Sequence, residues 1–173
     1  MRGRGPRLTS SAEIEKARFK LAEYGNRGNI TSAHLDTHRR ITEKLVKAGV
    51  SFEPRLWQSA VAHDLAHGKD VVLKAGTGSG KTLAFQAVAL LKPTRCVLVI
   101  SPLIALMADQ KARAEQLGIK AICLTSEAIR QNPHIIQDTA AGKFQMVYIT
   151  AEFTKLGSDK WKEVIGTGFL ISH

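Results

Sequence analysis

Residues 75–82 read Ala75-Gly76-Thr77-Gly78-Ser79-Gly80-Lys81-Thr82, and no other stretch restricts the fold as tightly. Glycines at 76, 78 and 80 permit positive φ and let backbone close on a ligand. A loop of this kind works only when a strand delivers it and a helix follows, with the helix N–H groups and dipole facing the same point. Both flanks comply. Asp70-Val71-Val72-Leu73-Lys74-Ala75 is a short, β-branched apolar run suited to a buried strand, and Thr82–Leu91 is built of strong helix formers that stop before Pro93. The pattern is that of a phosphate-binding loop, with Ala75 where glycine is commoner. Loop N–H groups would converge on phosphate oxygens, Lys81 would reach the β- and γ-phosphates as the catalytic cation, and the Thr82 hydroxyl would ligate Mg²⁺.

From residue 70 the chain alternates short apolar runs with helical patterns. Strands are expected at 70–75, 95–101, 119–124 and 145–150, and helices at 81–91, 103–117 and 127–141. That alternation predicts an α/β fold, a parallel sheet with helices on both faces. Ahead of it, residues 1–10 read as a disordered basic tail. Residues 11–50 read as a helical extension, with helices over about 11–24 and 32–48 and Leu35, Ile41, Leu45 and Val46 as core candidates. A further helix is expected from Pro54 to His67. Residues 51–173 then form the nucleotide-binding part.

The formal net charge is +10, and residues 1–50, with 11 Lys/Arg against 5 Asp/Glu, hold +6 of it. A basic balance favours polyanions, nucleic acid among them. No apolar run approaches the ~20 residues of a membrane span, and no apolar stretch follows the basic start, so neither a membrane anchor nor secretion is expected. Cys96 and Cys123 lie inside apolar runs and read as buried thiols without zinc spacing. His34/His38 and His63/His67 are each spaced i, i+4. No cysteine or carboxylate pattern completes a metal site beside either pair, and solvent-facing histidines are expected.

Five stretches, in order, resemble the RecQ-like DNA helicases of helicase superfamily 2. They are Phe52-Glu53-Pro54-Arg55-Leu56-Trp57-Gln58, which lies upstream of the loop, Gly68–Val72, Thr77–Thr82, Ser101–Gln110 and Met146–Phe153. The last carries Ala151 where the family has proline. The resemblance covers roughly residues 45–155 and implies a RecA-like lobe acting in an ATP-dependent 3′–5′ DNA helicase. It implies that Gln58 reads adenine, an amide being able to donate and accept together, with Phe52 and Arg55 flanking the base. Thr77, Gly78, Ser79, Gly80, Lys81 and Thr82 would hold the phosphates and Mg²⁺. Ser101, Pro102, Leu103, Gln110, Thr125, Ser126, Thr150 and Glu152 would face single-stranded or forked DNA. A nuclear protein is implied in a eukaryote, a cytoplasmic one otherwise.

The family's Asp-Glu-Ala-His element has no counterpart, since the 173 residues contain no Asp-Glu pair. A second RecA-like lobe and its arginine finger are missing as well. Phosphoryl transfer needs a cradle, a fixed metal, an oriented water and charge neutralisation, so the chain alone is expected to bind ATP without unwinding. A truncated gene product or a non-catalytic ATP- and DNA-binding module is the alternative. An unrelated P-loop protein such as a small kinase fits the stretches at 52–58 and 101–110 less well.

Overall fold

A computed structural model describes residues 30–155 and 170–172. The expected tail over 1–10 and helix over 11–24 lie outside the described residues. Two helices come first, α1 (Ser32–Lys47) and α2 (Leu56–Ala66). The order then runs α3 (Lys81–Leu91), β1 (Val97–Ile100), α4 (Ile104–Gln116), β2 (Ala121–Leu124), α5 (Ser126–Gln131), α6 (Ile135–Ala140), β3 (Met146–Ile149), α7 (Ala151–Lys155) and β4 (Leu170–Ser172).

The strands form one parallel sheet in the order β2-β3-β1-β4. Registers such as Val97 beside Met146 and Ala121 beside Met146 put alternate side chains on opposite faces. Val97, Val99, Met146 and Tyr148 pack towards Ile41, Leu45, Ala62, Leu83, Ala87, Val88 and Met107 from α1–α4. Leu98, Val147 and Ile149 pack against Ile135, Ile136 and Phe153 from α6 and α7 on the other face. The fold is therefore α/β with helices on both faces, as the alternation predicted. Its near-continuous apolar strands are what a sheet buried on both faces requires.

Several local expectations are corrected. Residues 70–75 form no strand. Val71 and Leu73 are half-buried against the cluster of Ile30, Trp57, Ala60, Val61 and Ala84, while Val72 is 100% exposed, so the segment keeps the two-residue alternation of an extended chain. A strand also needs a neighbour for its ladder, and none among the described residues pairs with it. The helix expected over 127–141 is two helices, broken at Asn132-Pro133, where proline has no N–H to donate. In α1, Ile41 and Leu45 are fully buried, but Val46 is 64% exposed on the outer face.

The cysteines are half-buried free thiols. Burial pushes the Cys96 thiol up to about 12, and Cys123 is raised for the same reason. Only the thiolate alkylates. At pH 8 Cys96 is expected to react with iodoacetamide roughly a thousandfold more slowly in the folded chain than in urea, since three pKa units separate the two states. Peptide mass spectrometry of timed quenches measures the ratio. Equal rates would mean that the segment leading into β1, where Cys96 lies, opens readily.

Candidate nucleotide-binding site

The loop begins where the extended segment ends and closes at the first turn of α3. Gly78 and Gly80 take φ of 77° and 86°, the left-handed region that glycine enters without strain. Gly80 is the N-cap of α3 and lacks a capping side chain. The Ser79 N–H donates to the Gly76 carbonyl at 3.3 Å, and the Leu83 N–H to the Gly80 carbonyl at 3.2 Å. The first N–H groups of a helix have no intrahelical acceptor, so the turn at Lys81 and Thr82 presents donors and the positive end of the dipole to the loop's concavity.

Lys81 lies folded over the loop. Its Nζ donates to the Ala75 and Gly76 carbonyls, both at 2.7 Å. The ammonium thus stands over the concavity, held by two neutral carbonyls that an anion can replace. The Ser79 Oγ is buried and has no hydrogen-bond partner among the described residues, an unusual state for a buried hydroxyl. These features fit a phosphate chain: two positive-φ glycines, an unpartnered hydroxyl, a free helix N-terminus and a lysine on replaceable partners. Thr82, half-buried in the first turn of α3, carries the hydroxyl that would take Mg²⁺.

The upstream stretch is fastened to this loop. Gln58, in the first turn of α2, is only 5% exposed. Its Oε1 accepts from the Arg55 N–H at 2.7 Å, and its Nε2 donates to the Gly80 carbonyl at 2.7 Å. Arg55 Nη1 donates to the Ser79 carbonyl at 3.1 Å. Both ends of the Gln58 amide are engaged inside the protein, so the residue latches α2 to the last glycine of the loop. Phe52, six residues before Gln58 in sequence, is exposed. This latch was not legible in the sequence, where residue 58 falls in an expected helix and residue 80 in the glycine loop, 22 residues apart.

The residues expected to face DNA gather at the carboxyl ends of three adjacent strands: Ser101 follows β1, Thr125 follows β2 and Thr150 follows β3. In open parallel sheets this edge is where ligands bind. Their environments differ. Ser101 is buried with an unpartnered Oγ, Pro102 is exposed, and Leu103 is 61% exposed. Thr125 caps α5, its Oγ1 accepting from the Ala128 N–H at 3.1 Å, and Ser126 is exposed. The Thr150 Oγ1 accepts from the Phe153 N–H at 3.3 Å, and Glu152 is exposed. Gln110 points inward instead. Its backbone carbonyl accepts from Gln86 Nε2 and the Tyr148 hydroxyl, and its side-chain Oε1 is buried.

A parallel sheet, a glycine loop opening a buried helix and a lysine over that loop define a P-loop nucleotide-binding domain. The chain belongs to the DEAD/DEAH box helicase family, whose sequence profile matches residues 55–171. It is similar to a putative ATP-dependent RNA helicase of Acanthamoeba polyphaga mimivirus, 33% identical over 63% of this chain and 19% of that protein. It is similar to the bifunctional 3′-5′ exonuclease/ATP-dependent helicase WRN of Mus musculus, 39% identical over 60% of this chain and 7% of that protein. The ATP-dependent DNA helicase RecQ of Haemophilus influenzae is 33% identical over 57% of this chain and 16% of its own length. The chain therefore spans less than a fifth of each of these relatives. No helix among the described residues is long and apolar enough to cross a membrane.

Proposed function

We propose that this chain is the ATP-cradling part of a RecQ-like DNA helicase motor. The observation that carries this reading is the hydrogen bond from Gln58 to the Gly80 carbonyl, which ties the stretch upstream of the loop to the loop itself. A bare phosphate-binding loop would serve many chemistries. One fastened to a glutamine 22 residues upstream, with an arginine bonded to it and an exposed aromatic six residues earlier in the same stretch, suits adenine recognition coupled to phosphate binding. Lys81 would leave its two carbonyls for the β- and γ-phosphates, Thr77–Gly80 would supply backbone N–H groups, and Thr82 would hold Mg²⁺, which screens phosphate charge. Phe52 and Arg55 would flank the base. For Gln58 to reach the adenine edge its amide must exchange one internal partner, so base binding would loosen the latch on Gly80.

DNA would lie along the carboxyl edge, contacting residues 101–103, 125–126, 150 and 152, with Gln110 supporting α4 from behind. The 3′–5′ polarity comes from the resemblance to RecQ-like enzymes. The sequence has no Asp-Glu pair, the carboxylates that orient water in such motors, so this chain by itself would hold ATP with negligible turnover.

Calorimetry with ATP and Mg²⁺, a phosphate-release assay and fluorescence anisotropy with a forked oligonucleotide test the reading together. Saturable binding of both ligands with phosphate release at background is expected. DNA-stimulated phosphate release that disappears in Lys81→Ala would show that the chain is a complete hydrolase. Failure to bind ATP at millimolar concentration would remove the proposal altogether.

A further inference from the structure

Of the four histidines spaced in i, i+4 pairs, His67 faces solvent as expected, but the others do not. His34 and His38 are each 7% exposed, buried between α1 and α2, which corrects the expectation of solvent-facing rings. Packing brings the two helices together along this face, and each ring finds polar partners across the seam. His38 Nδ1 lies 2.9 Å from the Ser59 Oγ and its Nε2 lies 3.1 Å from the Glu53 Oε1. His34 Nε2 lies 3.2 Å from the Asp64 Oδ1, and His63 Nδ1 lies 2.7 Å from the Thr37 Oγ1. The His34 and His63 rings meet edge to face, with centroids 4.7 Å apart.

The result is a donor set that neither helix holds alone. One atom each from His34, His63 and Asp64 lie within 4.8 Å of one another. Two imidazoles and a carboxylate are the ligands of borderline-soft divalent cations, Zn²⁺ foremost. Tetrahedral Zn²⁺ with bonds of about 2.0–2.1 Å separates its ligand atoms by roughly 3.3 Å. The 3.2 Å between His34 Nε2 and Asp64 Oδ1 already matches that edge. Thr37, buried beside His63, engages its Nδ1 at 2.7 Å, which leaves Nε2 as the ring nitrogen to ligate and supplies the outer-sphere bond that usually orients a ligating imidazole. We infer that His34, His63 and Asp64 form a three-ligand site for a Zn²⁺-class cation, with the fourth position open to water, bridging α1 and α2.

Two local interactions oppose the ion and set its strength. The Thr31 N–H donates to His34 Nδ1 at 3.1 Å, which leaves the ring proton on Nε2. Metal at Nε2 moves that proton to Nδ1, where the Thr31 hydroxyl at 3.2 Å accepts it, and the Thr31 N–H loses its partner. Lys69 Nζ also sits 2.8 Å from the Asp64 Oδ1. Its side chain is 63% exposed, so it can swing into solvent. The consequence is mechanical. The ion would pin α1 to α2, the helix whose first turn carries Gln58 and so holds Gly80.

The test uses the 173-residue chain stripped of metal by EDTA, with ZnCl₂ as the probe in calorimetry and CoCl₂ in visible spectroscopy. Expected are one bound Zn²⁺ per chain, a raised Tm, and the intense visible bands of four-coordinate Co²⁺. His63→Asn and Asp64→Asn should each weaken Zn²⁺ on the order of 100-fold or more, whereas His38→Asn, on the same seam but outside the trio, should leave it unchanged. Should a variant not fold, the Co²⁺ spectrum of the unsubstituted chain decides alone. No uptake, the pale spectrum of octahedral Co²⁺, or Zn²⁺ affinity indifferent to both substitutions would overturn the site. ATP binding is measured separately, so failure here leaves the nucleotide reading untouched.

Discussion

Lys81→Ala should lower ATP affinity on the order of 100-fold while leaving the fold in place. The ammonium has two partners, the Ala75 and Gly76 carbonyls at 2.7 Å. Both belong to a loop that solvent reaches, so their loss leaves little buried and unsatisfied. A nucleotide, by contrast, loses charge-assisted hydrogen bonds to its phosphates, each worth about 1.5–3 kcal/mol. Calorimetry with ATP and Mg²⁺ measures the affinity, and circular dichroism confirms an unchanged melting curve. Equal affinity in the variant would mean that the lysine stays over its carbonyls and the phosphates bind elsewhere.

Gly80→Ala should show the opposite profile, a loss of stability as well as of binding. At φ of 86° a side chain strains the backbone, at about 1–3 kcal/mol. The new Cβ would also lie 2.5 Å from Gln58 Nε2. That amide is buried and hydrogen-bonded at both ends, so moving it breaks the bonds to Arg55 and Gly80 together. The sum is roughly 2–4 kcal/mol, or a fall in Tm on the order of 10 °C for a chain of this size. Gly78→Ala is the control. Its φ is 77°, yet nothing lies within 4 Å of the added Cβ, so only the backbone strain remains. If the two variants melt alike, the Gln58 latch contributes nothing to stability.

The contrast between these neighbours shows how far the sequence could be read. The spacing of glycines, lysine and threonine announced the loop, and α3 begins and ends where the run of helix formers does. Apolar runs located β1, β2 and β3 to within a few residues, because strands buried on both faces need continuous side-chain hydrophobicity. Pro133 was equally legible as a break, since it cannot donate to a helix. A single helix over 127–141 passes over that signal. The lead-in at 70–75 had the composition of a strand and the alternation of one, yet a ladder is a property of two chains segments and composition describes only one.

The histidines mark the boundary most clearly. Spacing i, i+4 places two rings on one helix face, and it is silent on what that face meets. Asp64, which completes the trio, stands next to His63 on α2 and meets His34 from α1 only when the two helices pack. It forms hydrogen bonds to both His34 and Lys69, and these outweigh its burial to hold its pKa below the usual carboxylate value.

What the amino-acid order determined by itself was therefore local and covalent in reach: a phosphate-binding loop, the helix behind it, the alternation that makes a parallel α/β sheet, and membership of a helicase family. What only the tertiary structure decided was every relation across the chain. The strand order β2-β3-β1-β4, the inward amide of Gln58 on Gly80, the burial of Gln110 and the meeting of His34, His63 and Asp64 are of this kind. The physical reason is that side-chain chemistry and short-range periodicity are written residue by residue, whereas the partner of a buried polar group is chosen only when helices and strands close on one another.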